Sequence, residues 1–144
     1  MLDQAAVDAL LRLEKLLVKE EAINFPCSGS AQELEVKSSD GREVFLIDIN
    51  RRGRIKISKC TYQERYNVAE ILLRLDIDGP HHQNPDGTDV PCPHLHIYRE
   101  GYADKWAQSI PADFTNPADL IATLKEFLVY CRVQNIPGIN RPLL

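Results

Sequence analysis

Apolar and polar positions follow two different periods along this chain. Between residues 3 and 22 the apolar side chains recur at spacings of three and four, which predicts an amphipathic helix with Asp3 as its N-cap. From residue 33 the spacing becomes two, which indicates β-strands. Strands are expected at 33–37, 44–50, 54–58, 68–77 and around Leu95 to Ile97, with a hairpin turn at Asp40-Gly41.

A second helix is predicted near the C-terminus. Asn116-Pro117 is typical of a helix start, and an apolar stripe runs from Leu120 to Cys131. Together these elements predict an α+β fold: an antiparallel sheet of about five strands, with an N-terminal and a C-terminal helix packed on one face. A half-open barrel is the alternative, because a meander of five strands can curl closed. Residues 1–144 are expected to form a single domain.

Composition and charge narrow the classes of function. The net charge of −4 argues against a protein that coats nucleic acid or anionic membranes without specificity. No apolar run approaches the roughly 20 residues of a membrane span, and the acidic start does not resemble a signal peptide, so a cytoplasmic location is expected. Four single cysteines without a Cys-x-x-Cys pair favour buried free thiols over a structural zinc knuckle.

The candidate chemistry is concentrated in one stretch, since all four histidines lie within sixteen residues, from His81 to His96. Strand alternation places His94, His96 and Tyr98 on the face opposite Leu95 and Ile97. The same alternation puts basic side chains of two earlier strands on that open face; they are Arg54, Lys56 and Arg74.

This set of residues suggests a metal-independent phosphodiester site. His94 or His96 would act as acid or base, Arg54, Lys56 and Arg74 would bind phosphate, and Tyr98 would position the substrate. RNA is the expected substrate because its 2′-hydroxyl is an internal nucleophile, and no cofactor is then required. The alternative is that these basic groups are simply solvated.

The loop before the histidine strand offers further groups. His82, Asn84 and Asp86 are predicted to support the site from a turn-rich segment. A second interpretation makes His82, His94 and His96 ligands of a divalent metal such as zinc. The spacing of His94, His96 and Glu100 is also similar to the first cupin motif, although Ala107 replaces its glycine and no second motif follows.

The central third of the chain carries a recognisable signature in four runs: Thr61 to Arg65, Leu72 to Asp76, Gly79-Pro-His-His-Gln-Asn-Pro-Asp-Gly87, and Pro93-His-Leu-His-Ile-Tyr-Arg-Glu-Gly-Tyr-Ala-Asp-Lys-Trp106. The signature resembles a family of small uncharacterised bacterial and phage-associated proteins. That resemblance implies a shared surface but no transferable activity.

The leading hypothesis is therefore a nucleic-acid-binding protein, or a ribonuclease of the toxin or mobile-element type. A noncatalytic inhibitor that binds a protein partner and a metal-dependent enzyme are the alternatives. RNA or a protein is the expected partner, no membrane association is expected, and the oligomeric state is left open.

Overall fold

The computed structural model describes residues 1–53 and 58–142. Within them the chain forms two helices and eleven strands. The helices are α1 (Gln4–Arg12) and α2 (Leu120–Tyr130). The strands are β1 (Lys15–Leu17), β2 (Ile23–Asn24), β3 (Ala31–Ser38), β4 (Val44–Asn50), β5 (Thr61–Tyr66), β6 (Glu70–Asp76), β7 (His82–Gln83), β8 (Asp89–Val90), β9 (His94–Ile97), β10 (Ala107–Ser109) and β11 (Ile139–Asn140).

Helix α1 begins as predicted but ends early. The Asp3 carboxylate accepts a hydrogen bond from the Ala6 amide at 2.8 Å, which confirms the N-cap. The prediction of helix up to residue 22 is wrong, because Lys15–Leu17 pairs with β3 as an antiparallel strand. Adjacent apolar residues such as Leu16 and Leu17 suit either element, and pairing along the edge of β3 decides between them.

The main sheet is larger than expected. Its order is β1-β3-β4-β5-β6-β9-β10, all antiparallel, so the described residues contain a seven-stranded open sheet rather than about five strands or a barrel. The β3–β4 hairpin is confirmed. Strand β5 was not predicted, because its sequence, Thr-Tyr-Gln-Glu-Arg-Tyr, does not alternate between apolar and polar residues. The strand predicted at 54–58 lies almost entirely outside the described residues.

Helix α2 starts three residues after the predicted proline. Asp119, rather than Asn116, is its N-cap and accepts from the Ala122 amide. The helix contributes Leu124, Phe127 and Leu128 to the core that α1 also enters, and the Phe127 ring packs against Tyr62 of β5. Neither of the two helices in the described part of the chain is long and apolar enough to cross a membrane.

The two faces of the sheet differ in chemistry. One face carries the apolar core, and the other presents polar side chains from adjacent strands. Tyr98 does not join that polar face. It follows the last residue of β9, is buried in the core, and its hydroxyl accepts a hydrogen bond from the Leu2 amide. The alternation that predicted its position stops at Ile97, where the regular strand ends.

Candidate functional site

The candidate site is built on the pairing of β6 with β9. Arg74 lies opposite His96 and Asp76 lies opposite His94 in this antiparallel ladder. Side chains of directly paired residues stand on the same face at about 5 Å, so the register alone gathers these four groups. They occupy the polar face at the end of the sheet near β7 and β8, which together form a small hairpin.

Both strand histidines are buried and oriented by backbone carbonyls. His94 is 2% exposed and His96 is 1% exposed. His94 Nδ1 lies 3.0 Å from the Val90 carbonyl oxygen, and His96 Nδ1 lies 2.8 Å from that of Asp104. Because a carbonyl only accepts, each Nδ1 carries the donated proton. The Nε2 atom of each ring is therefore the one that faces the interior of the cluster.

The two Nε2 atoms converge on one carboxylate oxygen. Asp76 Oδ2 lies 3.1 Å from His94 Nε2 and 3.3 Å from His96 Nε2. The other carboxylate oxygen accepts from the Thr61 hydroxyl at 2.9 Å. Burial opposes ionisation of Asp76, but the hydrogen bond with His96 and the charge of Arg74 outweigh it and hold the pKa of Asp76 well below its ordinary value. Asp76 is thus a carboxylate at neutral pH.

Arg74 adds a positive charge beside this cluster. Its Nη1 donates to Asp104 Oδ2 at 2.7 Å, and its Nε lies 3.4 Å from Asp76 Oδ2. Its Nη2 lies 3.0 Å from His96 Nε2. When His96 Nε2 is unprotonated it accepts a hydrogen bond from Arg74, and when it is protonated it donates one to Asp76. Arg74 and Asp76 therefore compete for this nitrogen.

A solvent-facing cavity of about 400 Å³ opens onto the cluster. Its lining includes the exposed Lys59 and His81 and the partly buried His82. The His82 ring lies 4.5 Å from that of His96 between centroids, and its Nε2 lies 2.7 Å from the Lys105 carbonyl oxygen. A third histidine, His82, therefore lies at the edge of the cluster, and its Nε2 atom is already hydrogen-bonded to the backbone.

The predicted loop residues hold the β7–β8 hairpin in place. The Asn84 side chain is buried and bonds both the amide and the carbonyl of Ala107, at 2.8 and 3.0 Å. The Asp86 carboxylate accepts from the Thr88 hydroxyl and amide, which lowers the pKa of Asp86. The Asn84 bonds fix the hairpin against β10, beside the histidines, and the Asp86 bonds stabilise the turn within the hairpin.

The structure brings together some of the predicted site residues and separates others. His82, His94, His96 and Arg74 share one cavity, whereas Tyr98 is in the core. Arg54 and Lys56 lie outside the described residues. Three further members of the site are Asp76, Asp104 and Cys92. Asp76 is two positions after Arg74, so the alternation that predicts Arg74 on the polar face applies to Asp76 as well. Nothing in the sequence indicated that Asp104 would bind Arg74 from thirty positions away.

The prediction that the cysteines are buried thiols is confirmed for two of the four. Cys60 and Cys131 are buried free thiols, as predicted, but Cys27 is exposed and Cys92 is only partly buried. Cys92 Sγ lies 3.6 Å from His94 Nδ1 and 4.0 Å from His94 Nε2. The sequence feature that could have predicted this contact is the position of Cys92, two residues before His94.

Chemically, the cluster offers three metal-ligating atoms. One oxygen of Asp76 and one nitrogen each of His94 and His96 lie within 4.8 Å of one another, the single such group in the part of the chain that the structure describes. The same atoms could instead pass a proton between a partly buried carboxylate and a buried imidazole. Both uses require the Nε2 atoms. These point into the cluster because the Nδ1 atom of each ring is bound to a backbone carbonyl.

Comparison with known proteins places this site in a family without an assigned activity. No curated protein and no solved structure gives a significant match to the chain. A family model described as a family of unknown function, DUF6978, matches residues 2–133. This match includes both helices, the whole main sheet and every described residue of the site. The chain therefore belongs to DUF6978, a family of unknown function.

Proposed function

We propose that Asp76, His94 and His96 bind a divalent transition metal, with zinc as the first candidate, and that this centre supports metal-assisted hydrolysis. One observation carries the proposal: two buried imidazole Nε2 atoms converge on a single carboxylate oxygen, at 3.1 and 3.3 Å. Zinc bonds of about 2.0–2.2 Å to nitrogen and oxygen place adjacent tetrahedral ligands about 3.3 Å apart. Both carboxylate–imidazole distances therefore suit a shared ion, and all three ligand atoms lie within 4.8 Å of one another.

The surroundings of the two imidazoles support the same proposal. Metal-binding histidines usually donate their second ring N–H to a carbonyl or carboxylate, which fixes the ring and its tautomer. His94 and His96 do this through Val90 and Asp104. Two histidines with one carboxylate are also a common ligand set for zinc and for non-haem iron.

A divalent ion at the centre would make the cavity favour an anionic substrate, because without it the carboxylates of Asp76 and Asp78 balance the charges of Lys59 and Arg74. Lys59 and Arg74 line the same opening as the three ligands. A bound metal supplies a water of lowered pKa as nucleophile, and cationic side chains stabilise the charge that develops on the substrate. A phosphate ester, with RNA as the first example, combines the negative charge and the reactivity that this arrangement suits.

The metal is tested on untagged protein, since a histidine tag would itself bind ions. Apo protein is titrated with Zn²⁺ by calorimetry, and dialysed samples are measured by elemental analysis. We expect about one ion per chain, and stabilisation of about 2.7 kcal/mol when free Zn²⁺ is a hundred times Kd. His94→Ala, His96→Ala and Asp76→Asn should each weaken binding at least tenfold.

His81→Ala is the matched control, because His81 lines the same cavity from an exposed position outside the three-ligand group. It should bind Zn²⁺ as the wild type does. Folded wild-type protein that shows no saturable binding, or equal loss in His81→Ala and His94→Ala, contradicts the proposed centre.

A second candidate is metal-independent cleavage of RNA, favoured by the contact of Arg74 Nη2 with His96 Nε2. In this scheme the histidines transfer protons and Arg74 stabilises the phosphorane charge. Chelator-treated protein distinguishes the two candidates. RNA cleavage that persists without metal, and disappears in the double variant His94→Ala/His96→Ala, supports the second; cleavage that returns only on adding metal supports the first.

A further inference from the structure

The β7–β8 hairpin stands beside the histidine cavity and carries no buried apolar side chain. Of residues 79–93, all of which the structure describes, only Asn84 is buried, at 7% exposed. A two-stranded hairpin by itself is marginally stable in water. The polar contacts of this hairpin with the main sheet therefore hold it in place.

Asn84 makes two of these contacts. Its Oδ1 accepts from the Ala107 amide at 2.8 Å, and its Nδ2 donates to the Ala107 carbonyl at 3.0 Å. Ala107 belongs to β10, the last strand of the main sheet, and a residue of a further antiparallel strand would make the same two bonds. The amide side chain therefore covers part of the sheet edge and attaches the hairpin to it.

The hairpin orients one of the two proposed histidine ligands and not the other. The Val90 carbonyl, at the end of β8, accepts from His94 Nδ1 at 3.0 Å. His96 Nδ1 donates instead to the Asp104 carbonyl, which lies outside the hairpin. Such a second hydrogen bond fixes the ring of a metal-binding histidine, and its loss typically weakens metal binding about ten- to a hundredfold. The position of the hairpin therefore affects how His94 Nε2 is presented to an ion.

We propose that Asn84 is a positioning residue for the metal centre: it seats the β7–β8 hairpin, and the seated hairpin holds His94 in the orientation that binds the ion. This inference rests on the proposed metal site and adds its control. The apparent affinity for metal falls with the fraction of molecules in which the hairpin is seated. By linkage, a bound ion must stabilise the seated hairpin by the same factor.

Zinc affinity is compared in Asn84→Ala and in a matched control, Asn135→Ala. Asn135 makes the same pair of bonds at the opposite edge of the main sheet, to the amide and carbonyl of Leu17 in β1, at 2.7 and 3.1 Å. Calorimetric titration of the untagged proteins with Zn²⁺ should show binding about tenfold weaker in Asn84→Ala than in the wild type. Asn135→Ala should bind as the wild type does.

NMR of the metal-free protein tests the orientation of His94 without relying on zinc. An imidazole N–H proton is visible in ¹⁵N-edited spectra when a hydrogen bond slows its exchange with water. The wild type should show the Nδ1–H signals of both His94 and His96. Asn84→Ala should lose the His94 signal and keep the His96 signal, which also reports that the variant is folded.

Hydrogen exchange of the wild type gives a third measurement, which needs no substitution. The Asn84 and Gly87 amides donate hydrogen bonds within the hairpin, and zinc should slow their exchange by about threefold or more. The Gly41 amide, which donates to Ser38 in the β3–β4 turn, should exchange at an unchanged rate.

The outcomes separate the role of Asn84 from the metal site itself. A His94 signal that persists in Asn84→Ala, or zinc binding by this variant as tight as that of the wild type, overturns the role of Asn84 and leaves the three-ligand site standing. Loss of both histidine signals, or equal weakening in Asn135→Ala, also overturns it, because Asn84 would then support the fold in general. Absence of zinc binding by the folded wild-type protein overturns the metal site, and the role of Asn84 in it.

Discussion

Arg74 and His96 face each other across the β6–β9 ladder, with Arg74 Nη2 3.0 Å from His96 Nε2. The guanidinium therefore stands in the direction from which a metal would approach that nitrogen. Asp104 and Asp76 hold it there from two sides, at 2.7 and 3.4 Å. A fixed cation beside the proposed ligands must weaken metal binding, and it is also well placed to meet an anionic substrate.

Removing that cation should strengthen metal binding. Arg74→Ala eliminates both the charge repulsion and the competing donor at His96, and we expect Zn²⁺ affinity to rise about tenfold, or ~1.4 kcal/mol. Competition with a chromophoric chelator measures it. Arg99→Ala is the control, since Arg99 stacks on Trp106 and not on the histidines. Weaker binding in Arg74→Ala would show that Arg74 supports the site instead of competing with the ion.

Asp76 should make stability depend on pH. Its folded-state pKa is lowered, so its carboxylate contributes stability above the unfolded pKa of about 3.9, and this contribution is lost as pH falls below that value. In metal-free buffer, Asp76→Asn should lower the free energy of unfolding at pH 7 by about 1–3 kcal/mol. The difference from wild type should shrink between pH 4 and the lowest accessible pH.

Urea unfolding at a series of pH values measures this difference. Asp113→Asn, at an exposed position in the loop before α2, is the control and should track the wild type throughout. A difference between Asp76→Asn and wild type that stays constant down to the lowest pH would contradict the assigned cause.

A buried ion pair on the opposite face of the sheet gives a prediction about stability alone. Lys15 and Glu64 are both fully buried, with Nζ and Oε1 3.7 Å apart, and burial raises the pKa of Glu64 while Lys15 opposes the rise. Lys15→Met leaves Glu64 buried without its cation and should cost about 3 kcal/mol. The double variant Lys15→Met/Glu64→Leu should recover most of that loss, because it removes both desolvated groups.

The free energy of unfolding is measured in guanidinium chloride for the wild type, Lys15→Met, Glu64→Leu and the double variant. Together the four values form a double-mutant cycle. Strictly additive losses would mean that the two side chains are not energetically coupled. The zinc affinity of the four proteins should be equal, since neither residue lines the histidine cavity.

Short-range signals in the sequence determined a helix cap, a hairpin turn and the face of β9 on which the histidines lie. Asp3 and Asp40-Gly41 act within a few residues, through a cap and a turn, and both are where the pattern put them. Alternation within β9 placed His94 and His96 together on the polar face, because side chains two apart on a strand must point the same way.

Tertiary structure decided everything that depends on which strands are neighbours. Lys15–Leu17 became a strand because an edge of β3 was available, and the polar sequence of β5 became a central strand because both its neighbours pair with it. The same pairing joined Asp76 to the histidines, and Asp104 and Cys92 reached the cluster through loops. Sequence periodicity specifies the face on which a side chain lies, but only the register between strands brings residues from different strands into one site.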